Sequence, residues 1–285
     1  ITGETEKGAT VTIASGSSLT DLHIYRNDLI IRSDSGAVTY TNGLLDTATD
    51  GGASINSIYT IDSNVLNVKS GMSMLLWNRT NYTPGNNINV GSGIILEGTL
   101  SAGANTITLS GSWTNTSSGT FTNGTSTVVL DGTNQNMSGN TVFYHLKKVA
   151  TVRDQLSLAP GMRQAVTGSL IIQGATGATM EVRSTLSGSL AELVLFGYSN
   201  AFQDLKNLRV RDISGSGTVT NRSQILACGR QCADRKNNLF WTFVSPIVTG
   251  TLYSDEGTTA ITSGNVAISY NGGTITEEVA VDSGG

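Results

Sequence analysis

ITLSGSWTNTSSGTFTNGTSTVVLDGTNQNMSGNTVFYHLKKV, residues 107–149, is the stretch on which the reading of this chain turns. Ile107 and Leu109 alternate with Thr106, Thr108 and Ser110, and Val128 and Leu130 alternate with Thr127 and Asp131 around Val129. A period of two, rich in β-branched residues and stopped by Gly- and Asn-bearing turns, predicts half-buried strands. No run of ten or more strong helix formers interrupts it.

The same texture extends in both directions. Strand signals stand at 9–14 (ATVTIA), 22–25, 29–32 (LIIR), 38–41, 58–61, 65–68, 86–90 and 94–96, with a looser patch over 46–54. They resume at 156–158, 170–172, 180–182, 193–196 and 208–210. Gly16, Gly36, Gly71, Gly91, Gly111, Gly132 and Gly174 fall near multiples of about 20 residues, a solenoid period. ITLSG, VVLDG and LIIQG place an apolar triplet just before such a glycine, where the chain would turn a corner. The fold expected is all-β: a parallel β-helix over residues 1–244 with about 20 residues per coil. A chain with 34 glycines also produces such spacings by composition alone, and both explanations stand at this point.

Residues 239–243 (LFWTF) form the densest aromatic cluster and are expected to close the solenoid. Beyond Pro246, strand signals at 247–254, 265–270 and 275–281 are separated by DEG (255–257) and NGG (271–273), the latter a hairpin signal. Residues 245–285 are expected to be a partial Ig-like β-sandwich module, since a complete one takes about seven strands and about 100 residues.

Composition narrows the functional classes. Only 13% of residues are charged, and Ser, Thr and Asn supply the polarity. No apolar run approaches the roughly 18 residues of a membrane helix. A net charge of −4 leaves no electrostatic footprint for nucleic acid or anionic lipid. Cys228 and Cys232 are the only cysteines. They form a disulfide if the compartment is oxidising, and otherwise are two reduced thiols.

Chemistry-bearing motifs are sparse. His23 and His145 each read as lying in a strand, outside any metal-ligand spacing, and no metal or cofactor is expected. An enzymatic reading, a polysaccharide lyase or glycosidase, needs carboxylates and bases converging from neighbouring coils. Glu97, Asp131, Asp154, Glu181, Asp204 and Asp212, with Arg79 and Arg153, are the candidates, but at a 20-residue offset no two of them stack. Trp77 and Tyr82 are candidate platforms for a sugar face, whereas Trp113 reads better as a core plug.

WTN (113–115), GTFTNGTSTV (119–128), DGTNQ (131–135), SGN (138–140) and FYHL (143–146) resemble β-helix, adhesin-like repeat regions of very large bacterial surface proteins. NNLFWTF (237–243) resembles the closure of such modules, and residues 248–285 resemble the start of a carboxypeptidase-regulatory-like or Ig-like repeat. The CGRQC loop, with Arg230, Arg235 and Lys236, departs from the acidic loop such a family would carry. The resemblance implies an extracellular, cell-surface setting, no catalytic residues, and a role in adhesion, coats or fibres. The expectation is a non-catalytic structural protein, a filament or adhesin segment that self-assembles head-to-tail by β-strand addition. Ala9, Val11 and Ile13 would act as donor, and Val266, Ile268, Val279 and Val281 would lie in the acceptor. Its partners would be copies of itself or other segments of a larger surface protein, with no nucleic acid and no membrane span in this segment. A glycan-binding adhesin module is the alternative.

Overall fold

The computed structural model of the chain describes residues 7–12, 22–33, 36, 38–49, 54–196, 202–215, 222–223, 225–228, 232–244, 253–254, 257, 259–261, 265–267 and 278–280. The chain divides into two compact units, Ile1–Val244 and Ser245–Gly285.

In the first unit the alternating runs become parallel ladders. The backbone passes in rotation through three sheets: Val65–Val68, Ser73–Leu76, Asn81–Tyr82; then Ile88–Val90, Ile94–Leu96, Thr99–Ser101; then Thr106–Leu109, Trp113–Asn115, Thr120–Thr122. Each strand pairs in parallel with its equivalent one circuit later. Leu66 lies beside Ile88, Ile88 beside Ile107 and Ile107 beside Val128, steps of 22, 19 and 21 residues. The glycine period thus marks a physical circuit over this region. The result is an all-β fold of long parallel sheets, ten-, eleven- and four-stranded among the described residues, compatible with a β-helix.

Parallel pairing stacks like on like. Leu66, Ile88, Ile107, Val128, Leu146 and Leu170 form one inward column, and Met74, Ile94, Trp113, Met137 and Leu158 another. All are buried, each contributing roughly 1.5–3 kcal/mol of transfer free energy. Trp113 fills the core as expected, edge-on to Phe121 and Phe143 at 4.9 and 5.3 Å, with its Nε1 donating to Thr141 Oγ1 at 3.1 Å. Gly91, Gly111 and Gly132 sit at successive corners. At Gly132 a Cβ would overlap the Ser110 carbonyl oxygen, so only glycine lets the circuits touch there.

After Thr120–Thr122 the four-stranded sheet ends and the circuit changes form. Strand Thr141–Val149 packs against Thr120–Thr122 with one half and continues the eleven-stranded sheet with the other. Its neighbour Arg163–Gln173 carries one extra residue where the register shifts between Phe143 and His145. Such a bulge bends a strand pair. A bend therefore replaces a turn, and a Cβ on Gly168 in the bulge would lie 2.8 Å from the Tyr144 carbonyl oxygen.

At the same junction a lysine occupies an inward position. Lys148 stacks between Leu130 and Ile172 and is 1% exposed. Its Nζ donates to Gly132 O (2.7 Å) and Gln135 Oε1 (2.8 Å) and pairs with Asp154 Oδ2 (2.7 Å). Three acceptors meet the three protons of an ammonium. Asp154 Oδ1 accepts from the Asn134 and Gln155 amides at 2.7 and 2.6 Å, so both carboxylate oxygens are committed. Burial pulls the Lys148 ammonium below its usual range, and Asp154 opposes that shift.

The N-terminal part departs from the coil pattern. Of the loose patch at 46–54, residues 46–49 belong to a helix, Asn42–Thr49, Ser54 opens a 3-10 turn, Ser54–Ser57, and residues 50–53 lie outside the described residues. Strands Tyr59–Asp62 and Val65–Val68 form an antiparallel hairpin. Its turn residues Ser63 and Asn64 have φ of 52° and 61°, matching the type I′ turn that suits strand twist. Residues 22–25 are not a strand, which removes the strand expected around His23. Buried Asn42 anchors the helix: its Nδ2 donates to Asn64 O at 2.6 Å, and its Oδ1 accepts from the Tyr82 hydroxyl. The Tyr59 hydroxyl donates to Leu45 O at 2.9 Å.

At the other end, the aromatic cluster faces inward only in part. Leu239 and Phe240 are exposed, whereas Trp241 is buried and stacks on Phe243. Trp241–Val244 pairs in parallel with Ile225–Cys228. In the second unit, Asn265–Ala267 and Glu278–Ala280 pair antiparallel, and Tyr253 bridges Ala260. Its described residues do not make the two facing sheets of an Ig-like sandwich.

Two outcomes follow from these buried groups. Replacing Lys148 with alanine strands a buried carboxylate and lowers the urea-unfolding free energy by about 3–5 kcal/mol. Burial raises Tyr59 to about 12 and Tyr82 well above its usual range. The unfolded chain releases these protons near 10.0 and the folded chain only at higher pH, so their contribution is intact below 10.0 and declines above it. Between about pH 9 and pH 11 the urea midpoint of Tyr82→Phe falls less steeply than that of the parent chain.

Candidate ligand-binding groove

From Gln135 onward the ten-stranded sheet continues as Gln135–Ser138, Asp154–Leu158, Met180–Ser184, Leu208–Arg211 and Ala233–Asp234. In MEVRS and LRVR the apolar residues Met180, Val182, Leu208 and Val210 point into the core and are fully buried. Strand alternation sends Glu181, Arg183, Arg209 and Arg211 to the other face. Parallel register then sets Glu181 beside Arg209 and Arg183 beside Arg211. Arg153 precedes the second of these strands and Arg235 follows the last.

Arg153, Glu181, Arg209, Arg211 and Arg235, together with Asp154, line an open groove of about 650 Å³, whereas Arg183 is not on its wall. Its charges do not balance. Asp154 is already neutralised by Lys148. Arg211 lies 3.8 Å from Glu181 and 3.6 Å from Asp212, loose contacts in both cases. Arg153, Arg209 and Arg235 have no carboxylate within ion-pair distance among the described residues. The Nε atoms of Arg183 and Arg211 are buried without a hydrogen-bond acceptor. Two guanidinium groups on facing positions of adjacent strands repel one another. Chemically, this surface offers planar donor forks to an oxyanion.

The candidate carboxylates and bases are therefore less scattered than the sequence spacing indicated. Leu156 pairs with Val182 and Val182 with Val210, so successive circuits take 26 and then 28 residues. At that longer offset Arg153, Asp154 and Glu181 converge, and Asp212 approaches through Arg211. Asp131 instead bonds Ser110 Oγ, and Asp204 pairs with Lys206. Glu97 and Arg79 do not line the groove. Because both oxygens of Asp154 are engaged in the interior, Glu181 is the one groove-lining carboxylate among the described residues not held there.

Of the two proposed sugar platforms, burial rules out Tyr82, and Trp77 is half-buried. Tyr82 is 0% exposed because its side chain points inward to Asn42. Trp77 is already engaged: the His23 ring stacks on it at 5.1 Å and the Arg32 guanidinium lies 5.7 Å from its centroid. His145 lies in strand Thr141–Val149, with its Nδ1 2.7 Å from Ser169 Oγ.

Ala9 and Val11 belong to Ala9–Thr12, which pairs in parallel with Asp28–Arg32 of the same chain, and Val11 is buried. Val266 and Val279 are partners in their own antiparallel pair. One edge of each proposed exchange strand is thus used within the chain, while Ile13, Ile268 and Val281 lie outside the described residues. Cys232 is buried and disulfide-bonded in a chain with two cysteines, and its Sγ accepts from the Leu208 amide at 3.3 Å.

Among the described residues no group of three or more His, Cys, Asp or Glu is placed to hold a metal ion. No helix among them is long and apolar enough to cross a membrane.

Neutralising Glu181 leaves the arginines without their nearest solvent-facing counter-charge. Glu181→Gln lowers stability by about 0.5–1 kcal/mol at low salt. The difference from the parent chain shrinks in about 1 M salt, where the screening length is only about 3 Å. Urea denaturation at the two salt concentrations measures both effects.

No protein-family model, no curated protein and no solved structure matches this chain.

Proposed function

We propose that this chain is a non-catalytic, extracellular structural protein, a segment of a cell-surface fibre whose body is a parallel β-solenoid. The observation that carries the reading is the columnar core. Equivalent strands stack circuit upon circuit over one continuous set of inward residues, while the outward positions are largely Thr, Ser and Asn. Such a body resists bending and presents a repetitive surface, which is what a spacer or filament segment requires. The disulfide at Cys232 fits an oxidising compartment. The adhesin-like sequence texture of residues 107–149 points the same way.

Assembly would use the ends of the sheets. Ala9–Thr12 and Ala233–Asp234 each have one strand neighbour in the ten-stranded sheet among the described residues. A second copy adding its terminal strand there makes a head-to-tail contact, which does not close and so builds filaments. Sedimentation velocity over a wide range of protein concentration tests this. The expected outcome is a weight-average sedimentation coefficient that climbs with concentration, with linear particles in negative stain. A single monomeric species at every concentration overturns the assembly reading.

A further inference from the structure

We infer that the arginine groove on the ten-stranded sheet is a binding site for an acidic oligosaccharide, a sugar chain bearing carboxylate or sulfate groups. The inference goes beyond the fibre reading and does not depend on it, because the groove is built within one chain.

The argument starts from charge placement. The protein carries a net charge of −4, yet Arg153, Arg183, Arg209, Arg211 and Arg235 gather on one side of the sheet. Arg183 and Arg211 face each other across adjacent strands, each with a buried Nε that lacks an acceptor. Like charges in register destabilise a sheet. Arg183 is not on the groove wall, but Arg153, Arg209, Arg211 and Arg235 are, and an oxyanion lying in the groove offsets their mutual repulsion and accepts hydrogen bonds in the bidentate geometry guanidinium favours.

Shape and lining select the ligand class. The groove is lined by residues of three successive strands, Asp154–Leu158, Met180–Ser184 and Leu208–Arg211, and by Asn134 and Arg235 beside the next strand on either side, a span of four strand spacings, or roughly 19 Å at ~4.8 Å each. One sulfate or phosphate ion does not fill such a length, whereas a chain lying along the stack meets arginines in succession. Beside the arginines stand Asn134, Gln155 and Thr179, neutral amides and a hydroxyl suited to sugar hydroxyls. Among the described residues no aromatic side chain lines the groove, so none of them stacks on nucleobases there. The protein's overall negative charge also disfavours a nucleic acid. Glu181 sits within the groove as a carboxylate 3.8 Å from Arg211, so it competes with the ligand for that guanidinium.

Isothermal titration calorimetry with the whole chain tests the assignment. The titrants are tetragalacturonate, a heparin-derived tetrasaccharide, neutral maltotetraose, a thymidine oligonucleotide and sodium sulfate. The first two separate carboxylate from sulfate recognition. Saturable binding of at least one of them is expected, weakened about tenfold by Arg209→Gln and by Arg235→Gln. Glu181→Gln is expected to tighten it. Arg235 is exposed beyond the end of its strand, so its variant keeps the fold, and an unchanged thermal midpoint verifies this. The assignment is overturned if neither acidic sugar binds, if maltotetraose or the oligonucleotide binds as tightly, if sulfate alone displaces the sugars at equal concentration, or if the arginine variants bind unchanged. A chain that binds but stays monomeric removes the fibre reading alone, and one that assembles without binding removes this one alone.

Discussion

Parallel in-register pairing is the constraint from which the rest of the first unit follows. It sets each side chain beside its equivalent in the next circuit, as Ile88 stands beside Ile107 and Ile107 beside Val128. Inward columns then become continuous apolar stacks, since each strand spacing of ~4.8 Å brings a like neighbour into contact. The same rule applies outside. Ser138 bonds Thr114, and Asn89 bonds Asn67, across adjacent strands at 3.2 and 2.8 Å. Corner residues obey it too, and there the backbones meet so closely that a side chain has no room.

Stacking of this kind is unforgiving where one circuit differs from the next. At the end of the four-stranded sheet the chain accommodates the change with a bend inside a long strand and an extra residue in its neighbour. Lys148 then enters a column otherwise made of valine, leucine and isoleucine. Its charge is tolerated because Gly132, Gln135 and Asp154 present three acceptors at 2.7–2.8 Å. Gln135 in turn donates to the Leu109 and Gly111 carbonyls. The network ties three circuits together at the place where the cross-section changes. A buried pair of this kind contributes little net stability against a hydrophobic replacement, but losing one member is costly. It fixes the geometry more than it strengthens the fold.

The groove grows from the same rule applied to charge. In most of the chain, outward positions are neutral and their vertical repetition is harmless. Beyond Asp154 they include arginines, and repetition turns them into a concentrated cationic surface on an acidic protein. Glu181 offsets part of it, and the buried Asp154 contributes none because Lys148 already holds it. A fold chosen for regularity thereby yields an irregular electrostatic feature.

Local pattern and composition decided the class of this fold. The alternation in ITLS and TVVL, the turn-forming glycines and the spacing of about 20 residues were enough to indicate parallel circuits over residues 65–158, because a strand's two faces and a coil's length are properties of local sequence. The outward arginines of MEVRS and LRVR were visible by the same alternation. Their convergence was not, since it depends on circuits of 26 and 28 residues where the earlier glycines had fixed an expectation near 20. Nor does the local pattern around Trp77 and Tyr82 reveal that one ring is occupied and the other buried. The helix at Asn42–Thr49 forms on weak propensity because Asn42 and Tyr82 hold it, and they are 40 residues apart. Sequence settles what depends on near neighbours, and only the tertiary structure settles which distant residues meet, since that rests on the summed length of every circuit between them.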